Sequence, residues 1–235
     1  MQIVQLTNNQ VNTPFAPTWN YFLMEAEDSI DQKTIDEFKI FILDSEKKII
    51  NKFEQNYSSY NKEYNITFDG DTGLGPESLT SRSPFYNMFA IENACIQEIK
   101  KSVYEKYIRY LEIINVPRRK VWIQSWANVM RYGEAISEHI HSSHENTWLG
   151  GHVAISCDGT STFYRAPVRL TEDQIYESKN VPGKLTLFPD CIPHWTNEHS
   201  GNSERISIAF DIITNDRYKQ LTKERQAMYV GFDNE

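Results

Sequence analysis

The spacing of apolar residues changes along the chain, from a helical period in the first half to a strand period in the second. In Thr34–Tyr57 apolar residues recur every three or four positions with charged residues between them, which predicts an amphipathic helix. The same period predicts a second helix over Met88–Leu111, before Pro117. Between them, Asn65–Pro84 is rich in Gly, Ser, Thr and Pro and predicts a long loop. We therefore expect residues 1–117 to form a region of helices and loops.

After Pro117 the apolar residues alternate with polar ones, and the strands this predicts are Val121–Tyr132, Leu149–Cys157, Thr160–Arg165, Lys184–Pro189 and Glu204–Ile213. Many short strands separated by turn residues are typical of a sandwich or barrel. In the last strand Ile206 and Ile208 share the apolar face, so Arg205 and Ser207 share the other one. If the apolar face packs under the helices, Arg205 points into the mouth of a barrel formed by residues 118–215. Residues 216–235 are expected to form a tail with helical character.

Three histidines and one arginine in this second half are candidates for chemistry. In an extended segment His139 and His141 point to the same face and can present two imidazoles to one metal ion. His194, on a later strand, can add a third imidazole and complete one face of an octahedron. Such a face leaves positions open for substrate or oxygen, as in non-haem iron oxygenases, where two histidines usually pair with one carboxylate. Beyond them, Arg205 offers a rigid fork of donors that suits a carboxylate.

These residues lie within a series of short motifs. The motifs are SWANV at 125–129, HIH at 139–141, LGG at 149–151, GKLTLFP at 183–189, His194, and ERISIAF at 204–210. Their order and spacing resemble the 2-oxoglutarate/Fe(II)-dependent oxygenases, above all the oxygenase group common in phage and marine bacterial genomes. The resemblance covers Val121 to Ile213, a little under half of the chain.

The resemblance implies an α+β fold, a double-stranded β-helix (the cupin-like jelly roll) with an N-terminal helical layer packed on one sheet. It implies Fe(II) as the cofactor and 2-oxoglutarate as the cosubstrate. The expected enzyme is a dioxygenase, a hydroxylase of a peptide or small-molecule substrate. It would couple the decarboxylation of 2-oxoglutarate to succinate with the oxidation of a C–H bond.

The resemblance also assigns site residues. The expected metal ligands, which together with Arg205 form the catalytic set, are His139, His141 and His194. The residues expected to bind 2-oxoglutarate, with Arg205 on its distal carboxylate helped by Ser207 or Tyr132, are Arg205, Ser207, Asn128 and Tyr132.

The second metal ligand departs from the pattern of the superfamily. Most members have His-x-Asp or His-x-Glu where this chain has His141 as the second residue of the pair. Two other assignments stay open. His144 replaces one of the pair if the two serines before it are an insertion that shifts the register, or a carboxylate such as Glu138 or Glu145 binds the metal.

Two functions of other classes also stay open. A three-histidine cupin-type dioxygenase would chelate its substrate directly and would not use 2-oxoglutarate. A non-catalytic jelly-roll binding module would leave the histidines incidental, since the fold alone does not determine function.

Composition narrows the choice of partners and of compartment. A net charge of −8 argues against a nucleic-acid binder that neutralises phosphates. Three scattered cysteines without CxxC spacing suggest neither a disulfide framework nor a thiolate zinc site and favour a reducing compartment. No apolar stretch approaches the roughly 18 residues that span a bilayer. We expect a cytoplasmic protein, in the host cell if it is phage-encoded, whose partners are 2-oxoglutarate, O2 and an unidentified substrate, with a homodimer left open.

Overall fold

Two antiparallel sheets form the centre of the computed structural model, which describes residues 1–7, 13–16, 18–64, 72–167 and 175–232. The strands are β1 (Gln2–Thr7), β2 (Asn20–Ala26), β3 (Val121–Met130), β4 (Leu149–Ser156), β5 (Ser161–Arg165), β6 (Ile175–Lys179), β7 (Leu185–Pro189), β8 (His194–Thr196), β9 (Arg205–Thr214) and β10 (Val230–Gly231). The larger sheet has the order β1-β2-β7-β4-β9-β3-β10, and the smaller one has the order β6-β5-β8.

The helices lie before and after the strands of the second half. They are α1 (Gln32–Lys52), α2 (Glu54–Tyr64), α3 (Ala94–Ile113), α4 (Asn215–Gln220) and α5 (Lys223–Gln226), with 3-10 turns at Thr80–Phe85 and Met88–Ala90. Asp31 caps α1 by accepting from the backbone N–H of Thr34, and Asn93 caps α3 in the same way through Cys95. These caps fix where the two long helices begin.

The main hydrophobic core lies between the larger sheet and the two long helices. Phe38 and Ile42 of α1 and Ile99 of α3 are fully buried in the same cluster as Ile206 and Ile208 of β9. One face of β9 therefore packs under the helices, as the alternation predicts. The fold is the jelly roll with a helical layer on one sheet, and that prediction is confirmed.

The N-terminal region differs from its prediction because it also contributes strands. β1 pairs with β2, and β2 pairs with β7, so residues 2–7 and 20–26 extend the larger sheet. Leu23–Ala26 is continuously buried and lacks the alternation that reveals a half-buried strand. The helix predicted over Thr34–Tyr57 is divided into α1 and α2, and the second helix begins at Ala94 because a 3-10 turn occupies Met88–Ala90.

Other segments were predicted only in part. Of the predicted loop, residues 65–71 lie outside the described residues, and its end forms the 3-10 turn that begins at Thr80. The C-terminal tail contains α5 and also β10, which pairs with β3. The division of the chain at residues 117 and 215 remains a prediction. Among the described helices, none has the length and apolarity that crossing a lipid bilayer requires.

Candidate active site

A cavity with about 820 Å³ of empty space, including its open mouth, is lined by both sheets. Its walls include Trp126 and Asn128 from β3, His152 from β4 and Phe188 from β7. A concave site lined by aromatic side chains and a few polar groups is typical of small-ligand binding. The three predicted histidine ligands and the predicted arginine all line this one cavity: His139, His141, His194 and Arg205.

The three histidines form a single cluster. One ring nitrogen from each lies within 4.8 Å of the others. His194 begins β8, whereas His139 and His141 lie in an irregular segment and not on a regular strand. The backbone N–H and C=O of His139 pair with those of His194 at 3.1 and 3.0 Å, which brings the segment against β8. The predicted ligands are therefore brought together. An isolated β-bridge to His194, and not a regular strand, positions the segment that contains His139 and His141.

Hydrogen bonds orient all three rings in the same way. The Nδ1 atom lies 2.8 Å from the Ser137 carbonyl oxygen in His139 and 3.0 Å from the Ile192 carbonyl oxygen in His194. In His141, Nδ1 is hydrogen-bonded to the Asp211 carboxylate. Since each Nδ1–H is the donor to an oxygen, the Nε2 lone pair of each ring remains for a cation.

The protonation of these rings follows from their surroundings. Burial lowers the pKa of His139 to about 4 and that of His194 well below its ordinary value. Burial also lowers the pKa of His141, but the charge and hydrogen bond of Asp211 outweigh it and the net shift is upward. Three nitrogen donors that face one point, with two rings neutral at pH 7, fit a divalent first-row metal ion such as Fe(II).

Two carboxylates lie beside His141. Asp190 and Asp211 cluster with His141 within 4.8 Å. Burial, followed by the charge of Asp211, raises the pKa of Asp190 well above its ordinary value. The backbone carbonyl of Asp190 also accepts from the N–H of His141 at 2.9 Å. The carboxylates thus contact His141 and stand outside the three-histidine cluster.

Arg205 lines the same cavity as the histidine cluster. It begins β9 and is 2% exposed. One terminal nitrogen donates to Ser207 Oγ at 2.9 Å and contacts the Met130 sulfur at 3.5 Å, whereas Nε has no hydrogen-bond partner among the described residues. Burial lowers the pKa of this guanidinium to about 10, which leaves it charged at neutral pH. Within the described ranges no carboxylate pairs with it, although a buried cation normally requires a counter-ion.

The other residues predicted to bind 2-oxoglutarate separate into two groups. Ser207 and Asn128 line the cavity and face each other across the β3–β9 pair. Asn128 accepts a hydrogen bond from the hydroxyl of Thr80 at 2.6 Å. Tyr132 is 75% exposed, because β3 ends at Met130 and the chain then turns away at Gly133. The structure therefore does not bring Tyr132 to the cavity.

The alternative metal ligands lie elsewhere. His144 is exposed, and its Nδ1 accepts from the backbone N–H of Asn146 at 3.0 Å. Glu138 forms an ion pair with Arg165, and Glu145 is exposed. None of these three residues belongs to the histidine cluster in the described part of the chain.

Two further residues belong to the site, and the sequence predicted neither of them as a ligand of the metal or of 2-oxoglutarate. Asp211 lies six positions after Arg205 in β9. The period-two alternation of this strand therefore predicts that both side chains lie on the same face. His152 lines the cavity and is held by the hydroxyl of Tyr164 at 2.8 Å from its Nε2. Burial lowers the pKa of His152 to about 3, so this ring is neutral. No spacing in the sequence distinguished it from a core histidine.

No family model matches the sequence. No curated protein matches it either. Solved structures do share its architecture. A prolyl-4-hydroxylase from Pseudomonas putida aligns with a TM-score of 0.50 at 8% identity, over 82% of this chain and 91% of that one. The viral collagen prolyl hydroxylase from Paramecium bursaria Chlorella virus-1, solved as its 2-oxoglutarate complex, aligns with a TM-score of 0.51 at 8% identity, over 82% of this chain and 96% of that one. The chain has the fold of these two hydroxylases.

Proposed function

We propose that the protein is an Fe(II)- and 2-oxoglutarate-dependent oxygenase that acts as a hydroxylase. One observation carries the proposal: a single cavity presents three imidazole nitrogens and, separately, a buried guanidinium that no carboxylate of the described residues neutralises. A ligand that chelates a metal at one end and carries a carboxylate at the other satisfies both. The two hydroxylases with this fold support the assignment, since one of them was solved with 2-oxoglutarate bound.

The metal would be held by the Nε2 atoms of His139, His141 and His194. When bound, Fe(II) with 2-oxoglutarate and O2 supplies the oxidising chemistry, which couples decarboxylation to succinate with oxidation of a substrate C–H bond. The chain fixes the ligand rings through their Nδ1 atoms, and it leaves the side of the cluster that faces the cavity open.

Arg205 and Ser207 would bind the distal carboxylate of 2-oxoglutarate. The guanidinium is already desolvated, so a carboxylate gains a charge-assisted contact without the usual cost of removing water from the arginine. Ser207 Oγ accepts from the guanidinium at 2.9 Å, and its hydroxyl would donate to the same carboxylate. Trp126 and Phe188, which line the same cavity, limit the access of water.

The substrate would occupy the remaining part of the cavity, whose lining includes Thr72, Ile136 and Trp195. We assign the substrate to the class of peptides or small molecules, and the prolyl hydroxylases of the same fold favour a peptide. The location proposed is the cytoplasm, consistent with three free cysteines. The mass of the protein in solution tests whether it forms a homodimer, which the sequence leaves open.

Titration calorimetry tests the proposal directly. Mn(II)-loaded protein should bind 2-oxoglutarate, whereas the Arg205→Ala variant should bind Mn(II) normally and 2-oxoglutarate weakly. Turnover with O2 should then release succinate.

The three-histidine ligand set also fits a dioxygenase that chelates its substrate directly, without 2-oxoglutarate. That enzyme would leave Arg205 without an anion, and it would give no succinate. A binding module without catalysis would contain no metal when purified without chelators. Metal analysis of such a preparation distinguishes it from both enzymes.

A further inference from the structure

We propose that Asp211 is a positioning residue of the metal centre, which holds His141 and supplies the negative charge that a coordinating carboxylate supplies in a two-histidine, one-carboxylate site. The inference rests on the proposed function for the presence of the metal. It concerns how this chain compensates for a histidine where a carboxylate ligand is usual.

Asp211 differs from the groups that hold the other two rings. His139 and His194 donate to the neutral carbonyls of Ser137 and Ile192. His141 alone of the three donates to a carboxylate, and both side chains lie mostly out of solvent, with 8% and 22% of their surface exposed. A carboxylate acceptor fixes the tautomer of a metal-bound imidazole and raises its basicity more than a neutral carbonyl does.

The sheet is built to leave room for this contact. Asp211 of β9 pairs in register with Gly150 of β4. A Cβ atom at position 150 would lie 2.9 Å from His141 Nδ1 and 3.0 Å from Asp190 Oδ1, so a larger residue would displace the ring or the carboxylate. The bare glycine therefore allows the ring of His141 to sit against Asp211.

Charge explains why the contact matters. A divalent metal ion with three neutral imidazoles keeps a charge of +2, whereas two imidazoles and one carboxylate reduce it to +1. Asp211, one imidazole away from the metal, restores the lower value for the cluster as a whole. The negative charge is therefore present at the site, but it is hydrogen-bonded to the ligand His141 and does not itself bind the metal.

A double-mutant cycle tests the inference with Co(II) as the probe, read by its dissociation constant and by the visible absorption of the bound ion. Asp211→Asn in the otherwise unchanged chain should weaken Co(II) binding about 10- to 100-fold and alter the absorption bands. In the His141→Asp background, where position 141 itself supplies the carboxylate, the same change should weaken binding less than about 3-fold, because the two effects are coupled. Equal losses in the two backgrounds, or no loss in either, would overturn the inference.

Asp190→Asn is the matched control, since it removes a buried carboxylate from the same cluster without touching the ring hydrogen bond. Its effect on Co(II) binding should be smaller than that of Asp211→Asn, and an equal effect would refute a specific role for Asp211. If the unaltered protein bound no Co(II), the metal centre itself would be refuted. If the unaltered protein binds Co(II) but the effects of Asp211→Asn and His141→Asp on Co(II) affinity simply add, only the role of Asp211 is refuted.

A measurement on the unaltered sequence covers the case in which Asp211→Asn fails to fold. In the Zn(II)-loaded protein, the proton NMR signal of the His141 ring N–H should lie downfield of those of His139 and His194, because only His141 donates to a carboxylate. Three signals at the same position would overturn the inference.

Discussion

Two groups of residues in the cavity differ in how they are held. They are the three-histidine cluster, here called the metal end, and Arg205 with Ser207, here called the anion end. At the metal end, each histidine ring is held by an oxygen atom, and two of the three rings lie in an irregular segment. At the anion end, Arg205 lies in regular strand structure and is buried, yet its Nε has no hydrogen-bond partner in the described part of the chain. Each imidazole at the metal end thus has an oxygen partner for its Nδ1, whereas the guanidinium at the anion end has no carboxylate partner among the residues that the structure describes.

This difference indicates which groups can interact with a ligand without first breaking a bond within the protein. Hydrogen bonds already made by the protein orient the imidazoles, so metal binding needs little rearrangement of the rings. The guanidinium makes few bonds of its own, so most of its interaction energy remains for an incoming anion. Substitutions at the two ends should therefore have separable effects, on metal affinity at one end and on cosubstrate affinity at the other.

The largest effect is expected from His194→Ala. It removes one of three ligands and should weaken Fe(II) or Co(II) binding by more than about 100-fold, beyond the usual effect of losing a residue that only supports a ligand. Equilibrium dialysis with metal analysis measures this. The matched control is His144→Ala, an exposed histidine outside the cluster, which should bind metal normally. The reverse result would show that the ligand register is wrong.

The next effect is expected from Arg205→Met, which removes the charge and keeps an apolar side chain of similar length. Affinity for 2-oxoglutarate should fall by about 30- to 1000-fold, as expected for a charge-assisted contact of roughly 2–4 kcal/mol, while metal affinity stays unchanged. Arg205→Lys should recover only part of the affinity, since an ammonium cannot reproduce the fork of donors.

The stability of the same variant tests whether the positive charge of Arg205 is neutralised within the protein. Without ligand, Arg205→Met should raise the free energy of unfolding by roughly 1–3 kcal/mol, because it removes a buried charge that no carboxylate within residues 1–7, 13–16, 18–64, 72–167 and 175–232 neutralises. Urea denaturation measures the change. A loss of stability would mean that the arginine is held by an internal partner, and the anion end would then resemble the metal end.

Gly150→Ala should have a smaller effect confined to the metal end. The added methyl group would lie within 3.0 Å of His141 Nδ1 and Asp190 Oδ1, and the displaced ring should weaken metal binding about 10-fold. Gly231→Ala adds the same group where nothing lies within 4 Å and should leave metal binding unchanged. Equal metal affinities in the two variants would contradict the packing described for His141.

The smallest effect is expected from Tyr132→Phe. This side chain is exposed at the turn after β3, so the loss of its hydroxyl should change 2-oxoglutarate affinity by less than about 2-fold. A fall comparable with that of Arg205→Met would place Tyr132 in the cosubstrate site, as the resemblance implies.

The sequence was most informative where one strand face is buried. The alternation in β9 correctly predicts that Arg205 and Ser207 face the cavity while Ile206 packs under the helices. The same alternation places Asp211 on the cavity face. Its partner His141 comes from a segment 70 residues away, and no local pattern predicts that contact.

The sequence pattern was less informative for the segment that contains His139 and His141, for β2 and for the end of β3. His139 and His141 do meet at one cluster, but through an irregular segment bridged to β8, so the strand geometry assumed for them is wrong although their convergence is right. β2 is buried over several consecutive residues, and a short buried run does not distinguish strand from helix. The position of Tyr132 depended on where β3 ends, and the ends of elements are set by tertiary contacts as much as by local sequence.

The central claim is that one cavity holds a metal ion and 2-oxoglutarate together. Anaerobic addition of 2-oxoglutarate to the Fe(II)-loaded protein tests it, because a chelate formed by the 2-oxo acid on iron produces a weak visible charge-transfer band. The account predicts that the band appears and saturates, and that Arg205→Met requires about 30 to 1000 times more 2-oxoglutarate to produce it. Iron binding without any band at saturating 2-oxoglutarate would contradict the claim.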